Sequence, residues 1–382
     1  MIGGGGREHA LVWKLSRDSR RPRLFCAPGN AGTAALAENV PIAAGDVPAL
    51  VAWAREHRPG LTVVGPEAPL CAGLADAFEA DGLRVFGPCR AAARMEGSKR
   101  FAKEVMAAAG VPAARARTFT SAGAACAALD AFGLPVVVKA DGLAAGKGVV
   151  IAQTRDEAVA AIRAMLVDNA FGAAGAEVLL EEFLEGEEAS ILALVDGEHI
   201  ALLPASQDHK RVFDGDRGPN TGGMGAYSPA PVVTDDLLPF IRNRILAPVV
   251  AELRARGIVY KGILYAGLMI GKSGVKVLEF NARFGDPETQ VVLPRLEGDL
   301  IPLFEACIDG TLDPAQVRVT PDPAATVVLA AEGYPGPYAK GRPIGGLEAA
   351  AAGRAVVFHA GTALREGRVV SSGGRVLAVT AT

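Results

Sequence analysis

The sequence predicts a multidomain protein of mixed α/β and α+β class: an N-terminal doubly wound parallel sheet, an α+β core and a small C-terminal β domain. Three observations predict it. At 382 residues, half of them apolar, the chain is too long for one compact core and rich enough to build several. The first third repeats one pattern, a short apolar run that stops at a Gly/Pro turn and passes into a helical stretch, at 23–27, 61–64 and 83–86; buried parallel strands read this way. After Pro321-Asp322-Pro323, short strands alternate with glycine turns to the C-terminus.

Taken in order, the strand ends at Gly29-Asn30, Pro66-Glu67 and Gly87-Pro88 bound the first domain, 1–98, and ligands of such sheets sit at the carboxyl ends of the strands. The second domain, 99–320, opens with a helix at 99–109 and contains a small subdomain at about 119–187 built around the β-rich run 135–140. Residues 187–205 predict an antiparallel hairpin turning at Asp196-Gly197. Residues 206–231 are rich in Gly, Asp and Pro without apolar periodicity, and predict a functional loop. A helix at 235–256 leads to two strands, 263–270 and 275–281, and the third domain occupies 321–382.

Composition excludes several classes of function. A formal net charge of −3 gives no basic surface for nucleic acid or an anionic membrane. The five cysteines, Cys26, Cys71, Cys89, Cys126 and Cys307, lie far apart and form no zinc-type cluster, as in a reduced cytoplasmic chain. No run of eighteen apolar residues occurs, and positions 1–30 lack the pattern of a secretory leader.

Chemistry-bearing motifs are spread along the chain. Gly3 to Gly6 opens a helix, where free N–H groups and the helix dipole favour an anion; the same glycines also suit a plain tight turn. In 139–148 a lysine, Lys139, ends a strand, and a glycine loop with a second lysine, Lys147, follows. That arrangement suits a cover over phosphates, but it is not a Walker loop, because Gly148 stands where Ser or Thr is needed. Glu181, Glu182, Glu185, Glu187 and Glu188 surround the apolar pair Phe183-Leu184, which suits a nucleoside edge as well as an exposed acidic turn. In 278–283 a strand's period of two places Glu279, Asn281 and Arg283 on one face, two hard oxygen donors beside a cation.

Together these segments resemble the phosphoribosylamine-glycine ligase (glycinamide ribonucleotide synthetase) family of the ATP-grasp superfamily. The resemblance is carried by GGGGREHAL at 3–11, APGNAGT at 27–33, GPEAPL at 65–70, GSKRFAKEVM at 97–106 and VVKADGLAAGKGV at 137–149. It continues in EEFLEGEEAS at 181–190, SQDHKR at 206–211, GPNTGGMGAYSPAP at 218–231 and LEFNARFGDPETQ at 278–290. The resemblance implies an ATP-grasp core and ligation of glycine to 5-phosphoribosylamine with ATP and Mg²⁺ or Mn²⁺, by way of glycyl phosphate, in a cytoplasmic monomer. It implies ATP-binding roles for Lys103, Lys139, Gly142, Gly146, Lys147, Gly148, Glu181, Phe183, Leu184 and Glu188, with Glu187 the alternative to the last. Glu279 and Asn281 are the implied metal ligands, and Arg283, Asp208 and Lys210 the implied catalytic residues. Gly5, Gly6, Gly29, Asn30, Pro66, Glu67 and His209 are the implied substrate contacts, with 206–231 as a lid.

The ends depart from that family. Met1-Ile2 stands where relatives have a full apolar strand, and the chain stops at Thr382 where they continue into a helical segment. The expectation is a central strand nearly absent and an N-terminal domain looser than the core. Another ATP-grasp carboxylate-amine ligase, or an inactive nucleotide-binding homologue, is the rival reading. A nicotinamide-dependent oxidoreductase is suggested only by Gly3 to Gly6.

Overall fold

The computed structural model of the chain describes residues 1–143, 148–168, 170 and 172–382. The N-terminal sheet is parallel, in the spatial order Glu38–Asn39, Phe25–Pro28, Ile2–Gly3, Thr62–Val63, Val85–Phe86, with Ile2 bridging to Val64 at its centre. Alternation assigns the faces. Val64 and Val85 meet helices Val47–His57 and Leu74–Ala80 on one side, whereas Val63 and Phe86 meet helices Gly6–Leu15 and Leu300–Asp309 on the other. Both faces are covered, which is the doubly wound arrangement.

The central strand is only two residues long, as expected, yet it is paired on both sides. Met1 and Ile2 carbonyls accept from Ala27 N (2.9 Å) and Gly65 N (3.0 Å), and the Met1 amine donates to Phe25 O at 2.8 Å. Beside Met1, between the segments 22–25 and 59–62 that lead into the strands Phe25–Pro28 and Thr62–Val63, lies an apolar cavity of about 320 Å³ whose walls include Leu24, Phe25, Trp53, Leu61 and Phe78.

The small subdomain has its own core, with a sheet in the order Ala116–Phe119, Val178–Glu182, Val136–Ala140, Val149–Ala152 and the helices Ala122–Ala128 and Arg155–Leu166 packed on it. The larger sheet runs Ile200–Leu202, Glu187–Asp196, Lys261–Gly271, Gly274–Asn281, all antiparallel. One face packs on helices Lys99–Ala108 and Ala247–Ala255; the other, through Leu192, Leu194, Ile263 and Tyr265, merges with the N-terminal domain's core. The helix expected over 235–256 is interrupted by a π-helical turn at Arg242–Leu246.

The expected loop over 206–231 is instead a β-hairpin, Gln207–Phe213 with Arg217–Ser228. Its second strand pairs with Ala324–Ala330, register Gly225↔Val327 to Ser228↔Ala324, so the hairpin forms one sheet with Arg375–Ala381 and Val356–His359 of the C-terminal region. Glycines at 222, 223 and 225 carry no side-chain pattern to betray a strand; backbone pairing to the next sheet makes one. Among the described residues no helix is long and apolar enough to cross a membrane.

Candidate active site

A second cavity, of about 500 Å³, lies between the small subdomain, the larger sheet and the N-terminal domain. Unlike the apolar one, whose few charged neighbours are largely exposed, it gathers buried charged groups of both signs, the mark of a functional pocket.

At one end, register builds a pair of lysines around a carboxylate. In Val136–Ala140, Val136, Val138 and Ala140 face the subdomain core, which turns Val137 and Lys139 into the cavity. Glu181 pairs opposite Val137, so it shares that face with Lys139. The Lys139 Nζ lies 2.7 Å from Glu181 Oε2 and donates to Leu278 O at 3.3 Å. From helix Lys99–Ala108, the i,i+4 pair Lys99 and Lys103 projects on one face, and Lys103 Nζ reaches Glu181 Oε1 at 3.1 Å. Burial pushes the Glu181 carboxyl up, but Lys139 and Lys103 outweigh it and hold the group below the usual range. Burial lowers the ammonium of Lys103, whereas in Lys139 the pull of Glu181 and Glu279 overcomes burial and raises it. Met106, Val137, Ile151, Leu184, Met269 and Leu278 line the apolar wall beside these charges. Phe183 and Gly148 line it too, and Gly142 sits where Lys99 Nζ donates to its carbonyl at 3.2 Å. Gly146 and Lys147 lie outside the described residues.

In the middle, carboxylates outnumber cations. Asp208 and Lys210, two apart on one strand, turn into the cavity together; Lys210 Nζ is 2.6 Å from Glu188 Oε2 and 3.8 Å from Asp208 Oδ1. His209 falls on the opposite face, exposed against Tyr227, so alternation directs it away from any ligand in this cavity. The same alternation leaves Glu187 exposed while Glu188 lines the cavity. Burial, helped by Glu288, Glu188 and Glu279 against Lys210, pushes Asp208 up to about 7. The Lys210 ammonium is raised well above its usual value, because Asp208 and Glu188 overcome the effect of burial.

Glu279, Asn281 and Arg283 all line the cavity, as their spacing predicts. Burial pushes Glu279 up, but Lys210, Lys139, Lys99 and Arg283 prevail and keep it ionised. Asn281 Oδ1 receives only a 3.4 Å contact from Arg283 Nη2, which leaves the oxygen open to a cation. Among the described residues no three His, Cys, Asp or Glu side chains gather as a metal site. A cation held by Glu279 and Asn281 must therefore complete its shell with phosphate oxygens and water, the habit of Mg²⁺.

The far end is built by the N-terminal domain. Glu8 fills the space between Gly3 and Gly65, where a β-carbon on either would come within 2.5 Å or less of it. Its Oε2 accepts from Gly5 N at 2.6 Å, and its Oε1 from Arg7 Nε at 2.6 Å. This ties down the glycine turn and aims Arg7 into the cavity, alongside Glu67. Asn30 is spent within the fold: its Nδ2 donates to Gly4 O (2.9 Å) and His359 O (2.8 Å), and its Oδ1 accepts from Gly32 and Thr33. Gly5, Gly6, Gly29 and Pro66 are not among the residues that line the cavity. Glu288, whose Oε1 accepts from Tyr265 (3.0 Å) and Ser190 (3.2 Å), lines this region, as does Arg375 from the C-terminal sheet, donating to Gly222 O and Asp286 O. Sequence reasoning missed Arg7, Lys99, Glu96, Glu288 and Arg375. The i,i+4 spacing to Lys103 could have found Lys99; the others meet the site only through long-range contacts.

Comparison with known proteins fits this geometry. The sequence matches three family models for phosphoribosylglycinamide synthetase: the N domain over 1–96, the ATP-grasp (A) domain over 97–289 and the C domain over 324–382. It is 55% identical to the phosphoribosylamine-glycine ligase of Pseudomonas aeruginosa, covering 100% of this chain and 89% of the relative. The crystal structure of that ligase from Thermotoga maritima superposes with a TM-score of 0.86 at 33% identity, over 100% of this chain and 91% of that one. A biotin carboxylase from Campylobacter jejuni in a β-γ-ATP complex shares the fold, with a TM-score of 0.74 at 14% identity and 100% and 86% coverage. With three domain models matched in order and a relative more than half identical across all of this sequence, the chain belongs to the phosphoribosylglycinamide synthetase family.

Proposed function

We propose that the chain ligates glycine to 5-phosphoribosylamine with ATP, yielding glycinamide ribonucleotide, ADP and phosphate through glycyl phosphate, in purine biosynthesis. One observation carries this: a single cavity joins an apolar wall beside three lysines to the Glu279/Asn281/Arg283 face and to Arg7 and Glu67 of the N-terminal domain. Domain 99–320 is the nucleotide half and 1–98 the acceptor half. Adenine lies along the apolar wall at Phe183-Leu184, with Glu188 toward the ribose and Lys99, Lys103 and Lys139 on the phosphates. On nucleotide binding, Glu181 comes to share with the phosphates the two lysines it pairs with now.

When bound at Glu279 and Asn281, Mg²⁺, or Mn²⁺ in its place, neutralises phosphate charge and orients the transferring group. Arg283 steadies the planar phosphoryl group and then the acyl phosphate; Glu96 and Glu67 outweigh its burial, so its guanidinium stays charged. Lys210 and Asp208 flank the same space, and Asp208, poised near neutrality, is the group able to take a proton there. Because an acyl phosphate hydrolyses, water must be excluded until the amine attacks. The hairpin over the site does this as a fixed wall, being paired to the C-terminal sheet. The enzyme is proposed to act as a cytoplasmic monomer.

The test is ADP release measured with glycine, with and without freshly generated phosphoribosylamine. Turnover requiring both substrates is expected; equal turnover with bicarbonate or another acid in place of glycine would sink the proposal.

A further inference from the structure

Arg283 is held by the N-terminal domain rather than by its own. Its Nη2 lies 2.9 Å from Glu96 Oε1, and its Nε 3.5 Å from Glu67 Oε2. Glu96 ends the helix Arg90–Gly97, nearly 190 residues earlier in the chain, and its side chain is only 7% exposed. Its second oxygen, Oε2, accepts from Ala282 N at 2.7 Å. One carboxylate therefore grips both the guanidinium and the backbone just ahead of it, fixing the strand end and the fork it carries. The remaining contacts of Arg283 are weaker guides. Nη1 donates to Phe284 O at 3.1 Å, Nη2 makes the 3.4 Å contact with Asn281 Oδ1, and Nε, facing Glu67 as an ion pair, has no closer hydrogen-bond partner among the described residues.

We propose that Glu96 is the positioning residue for Arg283, and that through it the N-terminal domain takes part in the phosphoryl and acyl transfer steps. Glu96 lines the cavity beside Arg283, and its effect reaches the reacting atoms through the arginine it holds. A fork aimed at a planar phosphoryl group loses its value when it swings, since a small misplacement of a transition-state donor is costly. Glu67 forms the second arm of the clamp. It belongs to the turn proposed to face phosphoribosylamine, so the two arms set the arginine's angle against the acceptor as well as the nucleotide.

This rests on the proposed role of Arg283, and the experiment separates the two. Glu96→Gln, Glu96→Asp, Arg283→Lys and the double variant Glu96→Gln/Arg283→Lys are assayed for kcat, for KM of ATP and for melting temperature. Glu96→Gln is expected to lower kcat by roughly 10- to 100-fold, the scale of outer partners that orient a reactive group, with KM for ATP changed less than about threefold. Glu96→Asp keeps the buried charge but draws back by one methylene, and should recover part of kcat at an unchanged melting temperature. The double variant should be no slower than Arg283→Lys alone, because residues acting as a unit are not additive. Should Glu96→Gln fail to fold, Glu96→Asp decides, and wild-type kcat in it overturns the proposal. Additive losses, or a Glu96→Gln that melts early yet turns over normally, overturn it also. An Arg283→Lys variant with wild-type kcat overturns instead the assignment of Arg283.

Discussion

Two cavities among the described residues differ in what fills their walls. The one of about 500 Å³ is lined by lysines, arginines and carboxylates drawn from all three regions of the chain. The one of about 320 Å³ is lined chiefly by Leu24, Phe25, Leu50, Trp53, Phe78 and their neighbours. A cluster of buried charges that oppose one another's titration inside a cleft is the physical signature of a functional site. The charged neighbours of the apolar hollow, Arg20, Arg23 and Glu305, keep their side chains partly in solvent, and the rest of its wall is apolar. Size alone would not separate a site from a defect, whereas charge does.

The contrast can be broken first at the metal face. Glu279→Gln is expected to abolish measurable turnover, a loss well beyond ~10-fold, while nucleotide binding by titration partly survives, because the proposed phosphate contacts, Lys103 and Lys139, are separate side chains of the cavity. A fully active variant would refute the ligand assignment. Arg283→Lys should lower kcat more than it weakens ATP affinity, since a point charge cannot replace a planar fork; steady-state kinetics read both.

The apolar cavity makes the opposite forecast. A variant carrying Lys-Val-Leu-Val ahead of Ile2 lengthens the central strand into the hollow between 22–25 and 59–62. Each side chain it buries is worth roughly 1.5–3 kcal/mol, offset by about 1–2 kcal/mol per residue ordered. The melting temperature should rise by a few degrees. In the present chain, amides of 3–15 should exchange hydrogen earlier than those of 136–139; equal exchange and equal melting would mean that the hollow costs nothing.

The smallest expected effect is a slope with pH. Asp208 has its folded pKa raised to about 7, against about 3.9 unfolded. Between those values the folded chain holds a proton that the unfolded chain releases, so this group's contribution to stability falls as pH rises from about 4 to about 7. Metal-free Asp208→Asn protein should lack that component, and denaturant midpoints across the window should decline less steeply than in the wild type.

Much of this was legible in the residues. Strand-end turns disclosed the N-terminal sheet, and a period of two disclosed the face of Glu279, Asn281 and Arg283, because both are local patterns. The hairpin 207–228 was not, since its second strand is glycine-rich and is strand-like only by pairing with Ala324–Ala330. Asn30 illustrates the converse: a polar residue at a strand-end turn looks like a ligand contact, yet all its capacity goes to Gly4, Gly32, Thr33 and His359. Glu96 had no local signal, because its meaning lies in a partner nearly two hundred residues away. The two-residue central strand held its place through hydrogen bonds on both sides, which a count of apolar residues does not register.

The five-stranded sheet that runs from Gln207–Phe213 to Val356–His359 also bears on how the chain can be divided. A cut between 320 and 321 looks like a linker in sequence, but in space it parts a continuous ladder, leaving Arg217–Ser228 with an unpaired edge along Gly225 to Ser228. That same strand braces Asp208 and Lys210 from behind, through the Asp208↔Ala226 register. The C-terminal region is therefore less an appendage than a buttress: expressed without it, residues 1–320 would present a sticky sheet edge to other copies and release the hairpin that carries two of the site's charged groups.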